Sequence, residues 1–197
     1  MKRPYLYLSA GLLVAITLAS LGPAAWPTAA PGPVVQGPPT PEERLRKLQI
    51  ELPAVTKPTN TLVNAVRVGD MLYVSGTGPG QVDGKPLVGR LGQDFDVAKG
   101  RDAARRVGLQ VLSVVKAELG SLDKVQRLVK TFGMVNATAD FTQHPQVING
   151  FSDLMVEVFG EDAGKGARSA VGMSSLPAGI PVEIEAVFQV RIGTGKR

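Results

Sequence analysis

One arginine and two glutamates stand near the end of the chain in a stretch that otherwise carries almost no charge. Arg168 lies in a run of small and apolar residues, and Glu183 and Glu185 lie two positions apart in VEIEAVFQV. The arginine could bind an anion and the glutamates could transfer protons, so this stretch is the first candidate for a functional site. The alternative interpretation is a solvated outer strand face, because charged side chains normally stay in water.

Two short strands must hold these residues. Residues 168–174 form an apolar run, residues 176–181 (LPAGIP) turn the chain, and residues 182–190 alternate with period two, so the pattern predicts a β-loop-β unit. Side chains of a strand point alternately to its two faces. One face then carries Val182, Ile184, Ala186, Phe188 and Val190, and the other carries Glu183, Glu185, Val187, Gln189 and Arg191.

Composition excludes several kinds of site. The 197-residue chain has no cysteine and one histidine, His144, which excludes a thiol nucleophile, a thiolate metal site and a multi-histidine metal site. We therefore expect no metal and no cofactor. His144 precedes Pro145 at a predicted helix start, where a capping or surface role is favoured over catalysis.

The charge balance favours no polyanionic partner. The 22 basic and 17 acidic residues leave a net charge of +5, or +3 without Lys2 and Arg3. Four basic residues are spread along one predicted helix and are not clustered with aromatic residues. We interpret them as the solvated face of that helix. They are Arg101, Arg105, Arg106 and Lys116. The chain is therefore predicted to bind no nucleic acid.

The N-terminus has the pattern of an export segment. Lys2 and Arg3 precede an apolar run, residues 5–21, and no charge occurs between Pro4 and Pro41. Residues 1–30 are predicted to be a signal peptide or a membrane anchor, with the remainder exported to the periplasm. Residues 31–41, rich in proline and glycine, are predicted to be a linker, and residues 42–197 the folded domain.

The order of predicted elements is β-β-α-β-α-β-β after a short N-terminal helix that Thr40 caps and that runs to Ile50. The strands and helices are residues 62–68, 71–75, 94–119, 125–135, 145–159, 168–174 and 182–190. This order predicts an α+β fold in which both helices cover one face of a single sheet. Because the other face is left uncovered, we expect a homo-oligomer. Gly100, Ala104 and Gly108 predict close packing of the first long helix on the sheet.

Several motifs in this order resemble the RidA/YjgF family of reactive-intermediate deaminases, also labelled endoribonuclease L-PSP. They are VSGTGP, KTFGMVNATADFTQHPQVINGFSDLMVEVFG and ARSAVGMSSLPAGIPVEIEAVFQV, and ERLRKLQIELP is similar to the opening of a longer bacterial branch. The resemblance covers about residues 52–192. It implies a chorismate-mutase-like α+β fold, a trimer with three clefts at the subunit boundaries, and hydrolysis of enamines or imines to keto acids and ammonia.

The resemblance also implies roles for individual residues. Arg168 matches an arginine that grips the substrate carboxylate, and Glu183 matches the acidic residue that orients or deprotonates the attacking water. Ser75 and Gly76 match the loop that lines the cleft, and Asn149 matches an asparagine that faces the same pocket, while Glu185 matches a structural companion of Glu183. The chain departs from many active members at two positions, where Leu62 replaces a tyrosine and Ala170 replaces a cysteine.

Three functions follow from these residues. The first is a metal-independent hydrolase of small imino or enamino acids, with Arg168 binding the carboxylate and Glu183 activating water. The second is a non-catalytic binder of a small carboxylate ligand in the same intersubunit cleft, favoured by Leu62 and Ala170. The third is a ribonuclease, which the low net charge and the single histidine disfavour.

Overall fold

The computed structural model describes residues 37–58 and 61–191. From Gly37 onward the chain forms one compact unit. The predicted export segment, residues 1–30, and residues 31–36 of the predicted linker lie outside the described residues. Among the helices that are described, none has the length and apolar character needed to cross a membrane.

Five strands form the main sheet, in the order β1-β2-β7-β5-β6, and two short strands form a separate hairpin. Their bounds are β1 Ala65–Val68, β2 Met71–Thr77, β3 Gln81–Val82, β4 Lys85–Pro86, β5 Val125–Asn136, β6 Ala167–Met173 and β7 Val182–Val190. Strands β5 and β6 are parallel, and the other neighbours in the sheet are antiparallel. The predicted α+β fold, with both long helices on one face of a single main sheet, is confirmed, and that sheet is mixed.

The helices are α1 Pro41–Lys47, α2 Val97–Leu119, α3 His144–Phe159 and α4 Glu161–Gly164. A capping box starts α1, because the Thr40 hydroxyl accepts the Glu43 backbone N–H while the Glu43 carboxylate accepts the Thr40 N–H. The helix ends at Lys47 and not at Ile50 as predicted. The chain leaves the helix there because Gln49 takes a positive φ of 54°.

The alternating strand pattern places the core as predicted. The five residues that β7 points toward α2 and α3, every second residue from Val182 to Val190, are all apolar and buried on that face of the sheet. We call this the covered face and the opposite side, which carries Glu183 and Glu185, the open face. The hairpin β3–β4 was not predicted, although Asp83-Gly84, with φ values of 52° and 73°, is a hairpin turn signal.

The prediction that glycines of α2 pack on the sheet was wrong, because they pack largely on α3. A Cβ on Gly108 would lie 2.8 Å from Cδ2 of Leu154, and a Cβ on Gly150 of α3 would overlap the Arg101 carbonyl. A side chain at these positions would force the two helices apart. The helix-propensity cost of glycine, about 1 kcal/mol each, is therefore offset by close approach of α2 and α3.

The basic residues of α2 are not simply a solvated face. Arg105 donates to both carboxylate oxygens of Glu157 on α3, at 3.0 and 2.7 Å, and this hydrogen bond is the main cause that raises the pKa of Arg105. Lys116 lies 2.8 Å from Glu42 of α1. Exposed pairs add only about 0–1 kcal/mol each, so their main effect is to fix how the helices are oriented.

Candidate functional site

Arg168 is the second residue of β6, an edge strand of the sheet, and its side chain reaches α3. Its Nη1 donates to Oδ1 of Asn149 at 2.8 Å and to Oγ of Ser152 at 3.0 Å. Among the residues that the structure describes, Nε and Nη2 of Arg168 have no hydrogen-bond acceptor. The guanidinium is exposed, so its Nε–Nη2 edge can donate two parallel hydrogen bonds to a carboxylate.

Ser152 is the residue that sequence reasoning missed at this position. It lies three residues after Asn149, so both side chains project from the same side of α3 toward Arg168. The i, i+3 spacing of Asn149 and Ser152 was a usable signal. Together the two side chains hold the guanidinium by its Nη1 end and determine which edge remains available.

Glu183 lies on the open face near the start of β7. Its Cα partner on β5 is Met134, and its side chain is half-buried. Burial raises the pKa of Glu183, and the negative charge of Glu185 raises it further. A carboxylate whose pKa is raised is a stronger base than an ordinary glutamate once it is deprotonated.

Gly76 makes the close approach that shields Glu183. A Cβ built on Gly76 would overlap Oε1 of Glu183, and an irregularity in the β2–β7 register between Val74 and Thr77 occurs at this point. A bulge of this kind redirects the strand locally. The structure therefore brings together two of the residues that the sequence nominated, Gly76 and Glu183.

Ser75 hydrogen-bonds to the backbone of the segment just before β1. Its N–H donates to the Asn64 carbonyl at 3.0 Å and its hydroxyl donates to the Val63 carbonyl at 2.7 Å. The hydroxyl of Ser75 therefore fixes the segment before β1. Leu62, next to this segment, has 59% of its surface exposed.

The two halves of the candidate site lie on opposite faces of the sheet. Arg168 is aligned with Thr131 of β5, which is aligned with Ala186 of β7, and Ala186 points into the core. Glu183 is three residues from Ala186 and so points the other way. Strand β5 also separates the two strands, which places β6 and β7 about 10 Å apart. One small molecule cannot contact both Arg168 and Glu183 of the same chain.

The open face carries apolar side chains as well as the two glutamates. Val66 and Val68 of β1 are 49% and 61% exposed, and Tyr73 of β2, the Cα partner of Val66, is 46% exposed. Ala170, on the covered side of β6, packs against the core. Within residues 37–58 and 61–191, no three His, Asp or Glu side chains are grouped so as to hold a metal ion.

Comparison with known proteins agrees with this architecture. A family model described as "YjgF/chorismate_mutase-like, putative endoribonuclease" matches residues 42–179. Protein TCP17 of Trypanosoma cruzi is 43% identical over 146 residues, which cover 74% of this chain and 91% of TCP17.

Solved structures show the same fold. The crystal structure of Atu1372, a protein of unknown function from Agrobacterium tumefaciens, is 37% identical, with a TM-score of 0.70, over 78% of this chain and 94% of that chain. A Shewanella oneidensis protein described as a "putative endoribonuclease" is 28% identical, with a TM-score of 0.72, over 77% of this chain and all of the other.

Proposed function

The chain belongs to the YjgF/chorismate mutase-like family, and from that premise we propose that it hydrolyses enamine or imine intermediates of amino acids to keto acids and ammonia. The observation that carries the proposal is how the structure holds the side chains of Arg168 and Glu183. Arg168 is held by Asn149 and Ser152 with one guanidinium edge available. Glu183 is half-buried against Gly76, with its pKa raised.

The proposed reaction needs one anion-binding group and one base. Arg168 binds the carboxylate of the imino acid and thereby fixes the position of the C=N bond. Glu183 accepts a proton from water as the water oxygen attacks the imine carbon, which gives a tetrahedral carbinolamine. Glu183 returns this proton to the nitrogen, the hydroxyl proton of the carbinolamine then also moves to the nitrogen through Glu183, and the C–N bond breaks so that ammonia leaves as the carbonyl forms. No oxidant or reductant is required.

In this proposal each site is built by two subunits. Since Arg168 and Glu183 point to opposite faces of one sheet, a single substrate meets both only when Arg168 of one copy faces Glu183 of the next. Head-to-tail contacts of this kind close into rings, and the family resemblance favours a ring of three. The apolar residues Val66, Val68 and Tyr73 on the open face favour the same assembly.

The alternative function is a non-catalytic binder of a small carboxylate in the same intersubunit cleft. The exposed Leu62 offers no hydroxyl to a substrate, and Ala170 offers no thiol. Neither loss affects the Arg168 anchor. Binding of a carboxylate without turnover would identify this function.

We do not propose a nucleic-acid partner, although the family description includes the word endoribonuclease. The net charge of +5 is small for a chain of this length, and a protein that binds RNA through phosphate contacts carries clustered basic residues. We further propose that the domain works outside the cytoplasm. This part of the proposal depends only on the basic and apolar pattern of residues 1–30.

The experiment is keto-acid release from imino acids generated in situ by an amino-acid oxidase. The full chain is compared with Arg168→Ala, whose side chain is exposed and whose loss should leave the fold intact. Acceleration by the wild type and not by the variant supports a hydrolase with its site at Arg168. No acceleration across several imino acids, together with Arg168-dependent carboxylate binding, supports the alternative.

A further inference from the structure

A cavity lies at the end of the sheet where the parallel strands β5 and β6 finish and α3 begins. Its volume is about 450 Å³, and it is lined by residues that follow β5, start α3, end β6 and belong to the loop before α2. The carboxyl ends of parallel strands joined by a helix are a common place for ligands in α/β proteins. Neither Arg168 nor Glu183 lines this cavity.

Arg90 supplies the positive charge of this cavity. Its Nη2 donates to the Ala137 carbonyl at 2.7 Å, which fixes the guanidinium at the end of β5. Its Nε is buried and has no hydrogen-bond partner among the described residues. Buried donors are nearly always paired in folded proteins, so the unpartnered Nε points to a molecule that the protein chain alone does not supply.

Asn136 holds the loop that carries Arg90 at the same end of β5. The side chain is only 4% exposed, and its Nδ2 donates to the Gly89 and Ile180 carbonyls at 3.4 and 3.3 Å. Its Oδ1 is buried without a partner among the described residues. Asn136 is the Cα partner of Met173, which lines the cavity. Asn136 does not itself line the cavity, and its bond to the Gly89 carbonyl holds the residue before Arg90 against the end of β5.

The remaining lining combines polar groups with an apolar wall. Ser174 and His144 contribute a hydroxyl and an imidazole, and Phe141 and Met173 contribute apolar surface. Thr138 also lines the cavity, but its Oγ1 is buried. The rings of Phe141 and His144 meet edge to face at 5.3 Å between centroids. Burial lowers the pKa of His144, so at neutral pH the imidazole is uncharged and can donate or accept one hydrogen bond. Asp94 and Asp140 do not line the cavity but adjoin it, because Asp94 accepts the Arg90 backbone N–H at 2.9 Å and a hydrogen bond with the Thr138 side chain lowers the pKa of Asp140.

We propose that this cavity binds a small organic oxyanion with a short apolar group, with Arg90 as the charged anchor and the hydroxyl of Ser174 as a further donor. The oxyanion is a carboxylate or a phosphate monoester, and the apolar group lies against Phe141 and Met173. This site is separate from the proposed hydrolytic site. Along β6, Arg168 and Met173 are five residues apart, which is about 16 Å.

The chain contains a single reporter for this site. His144 is the only histidine in the sequence and lines the cavity, so the imidazole proton resonances of a tag-free protein report on it alone. Butyrate and methyl phosphate, titrated separately into the full chain, are expected to shift these resonances with saturation. Saturation by one probe only would identify the headgroup, and either result supports the proposal.

Matched variants separate this site from other positive groups. Arg90→Gln should weaken the affinity about 10- to 100-fold, because it removes a charged hydrogen-bond donor from a part-buried site. Arg106→Gln, on the exposed side of α2, and Arg168→Ala should leave the affinity unchanged. Ser174→Ala, which keeps Arg90, should weaken the affinity less and guards against misfolding of the arginine variant.

Three outcomes would overturn the proposal. The first is that neither probe gives a saturable shift, which would leave ordered water as the partner of the buried atoms. The second is an unchanged affinity in a folded Arg90→Gln, and the third is a loss of the shift in Arg168→Ala. Since the readout is ligand binding at His144, the proposal survives or fails independently of keto-acid release.

Discussion

Replacing Gly76 by alanine tests whether Glu183 is the base, without changing Glu183 itself. A Cβ at Gly76 would overlap Oε1 of Glu183 and lie 3.1 Å from its Cδ. Gly76 is not among the positive-φ glycines of the described chain, so alanine fits the backbone. The new methyl group therefore acts on one target, the end of the Glu183 side chain.

The size of the effect follows from that overlap. Ordinary contact between a methyl carbon and a carboxylate oxygen is about 3.5 Å, so the Oε1 end of the carboxylate must move away by more than about 1 Å. A displacement of this size in a catalytic group costs about 100-fold in rate. Because the atom that moves is the end of a flexible side chain, the free energy of unfolding should change by less than about 1 kcal/mol.

The assay compares keto-acid release, keto-acid binding and thermal unfolding of Gly76→Ala with those of Gly78→Ala. At Gly78 the nearest atom to a new Cβ is Cδ1 of Ile180, at 3.0 Å, and Glu183 is not within 4 Å. We expect turnover to fall in Gly76→Ala alone, while binding through Arg168 persists in both variants. Full turnover by a stable Gly76→Ala would refute Glu183 as the base.

Substitutions at three other positions give separate checks. Glu183→Gln should keep carboxylate binding and lower kcat by about 10²- to 10⁴-fold, and unchanged kcat would assign the base elsewhere. Activity should be lost as the pH falls through the raised pKa of Glu183, because the protonated carboxyl cannot act as a base. The charge of Glu185 contributes to raising that pKa, so Glu185→Gln should move the acid limb of the pH–rate profile to lower pH. An acid limb at the same pH in Glu185→Gln would contradict this. Ser152→Ala should raise KM with little effect on kcat, because the Nη1 end of Arg168 loses one of its two acceptors, and Ser152→Thr should restore KM if the hydroxyl is what matters.

Local patterns in the sequence were sufficient for most of the fold. Strand β7 was predicted with its observed bounds because strict alternation over nine residues has only one interpretation. Thr40 and Pro41 gave the start of α1 through capping chemistry. The end of α1 was not predictable in the same way, since the positive φ of Gln49 has no glycine or asparagine to announce it.

The packing partners of the helices could not be predicted from local sequence. Gly100, Ala104 and Gly108 indicate close approach but do not say whether the neighbour is a strand or a helix, and the structure shows α3 against Gly108. The pairing of Arg105 with Glu157 likewise joins residues 52 positions apart. Such contacts depend on tertiary arrangement, which residue spacing does not record.

The candidate site was predicted as a set of residues and not as a geometry. Arg168 and Glu183 were nominated by their charge in an otherwise nearly uncharged stretch, Asn149 was nominated through the family resemblance, and the structure shows Arg168 bonded to Asn149. That Arg168 and Glu183 point to opposite faces depends on the register of β6 and β7 against β5. Register between strands distant in sequence is a property of the folded sheet. Because this register puts Arg168 and Glu183 on opposite faces, the proposed site needs two subunits.

The most direct test of that account is complementation between two inactive variants, Arg168→Ala and Glu183→Gln, co-expressed at equal levels so that mixed oligomers form. If Arg168 of one subunit works with Glu183 of its neighbour, random assembly leaves roughly a quarter of the sites with both groups intact. Keto-acid release should then recover to about that fraction of the wild-type rate. No recovery above either variant alone would contradict a site shared between subunits.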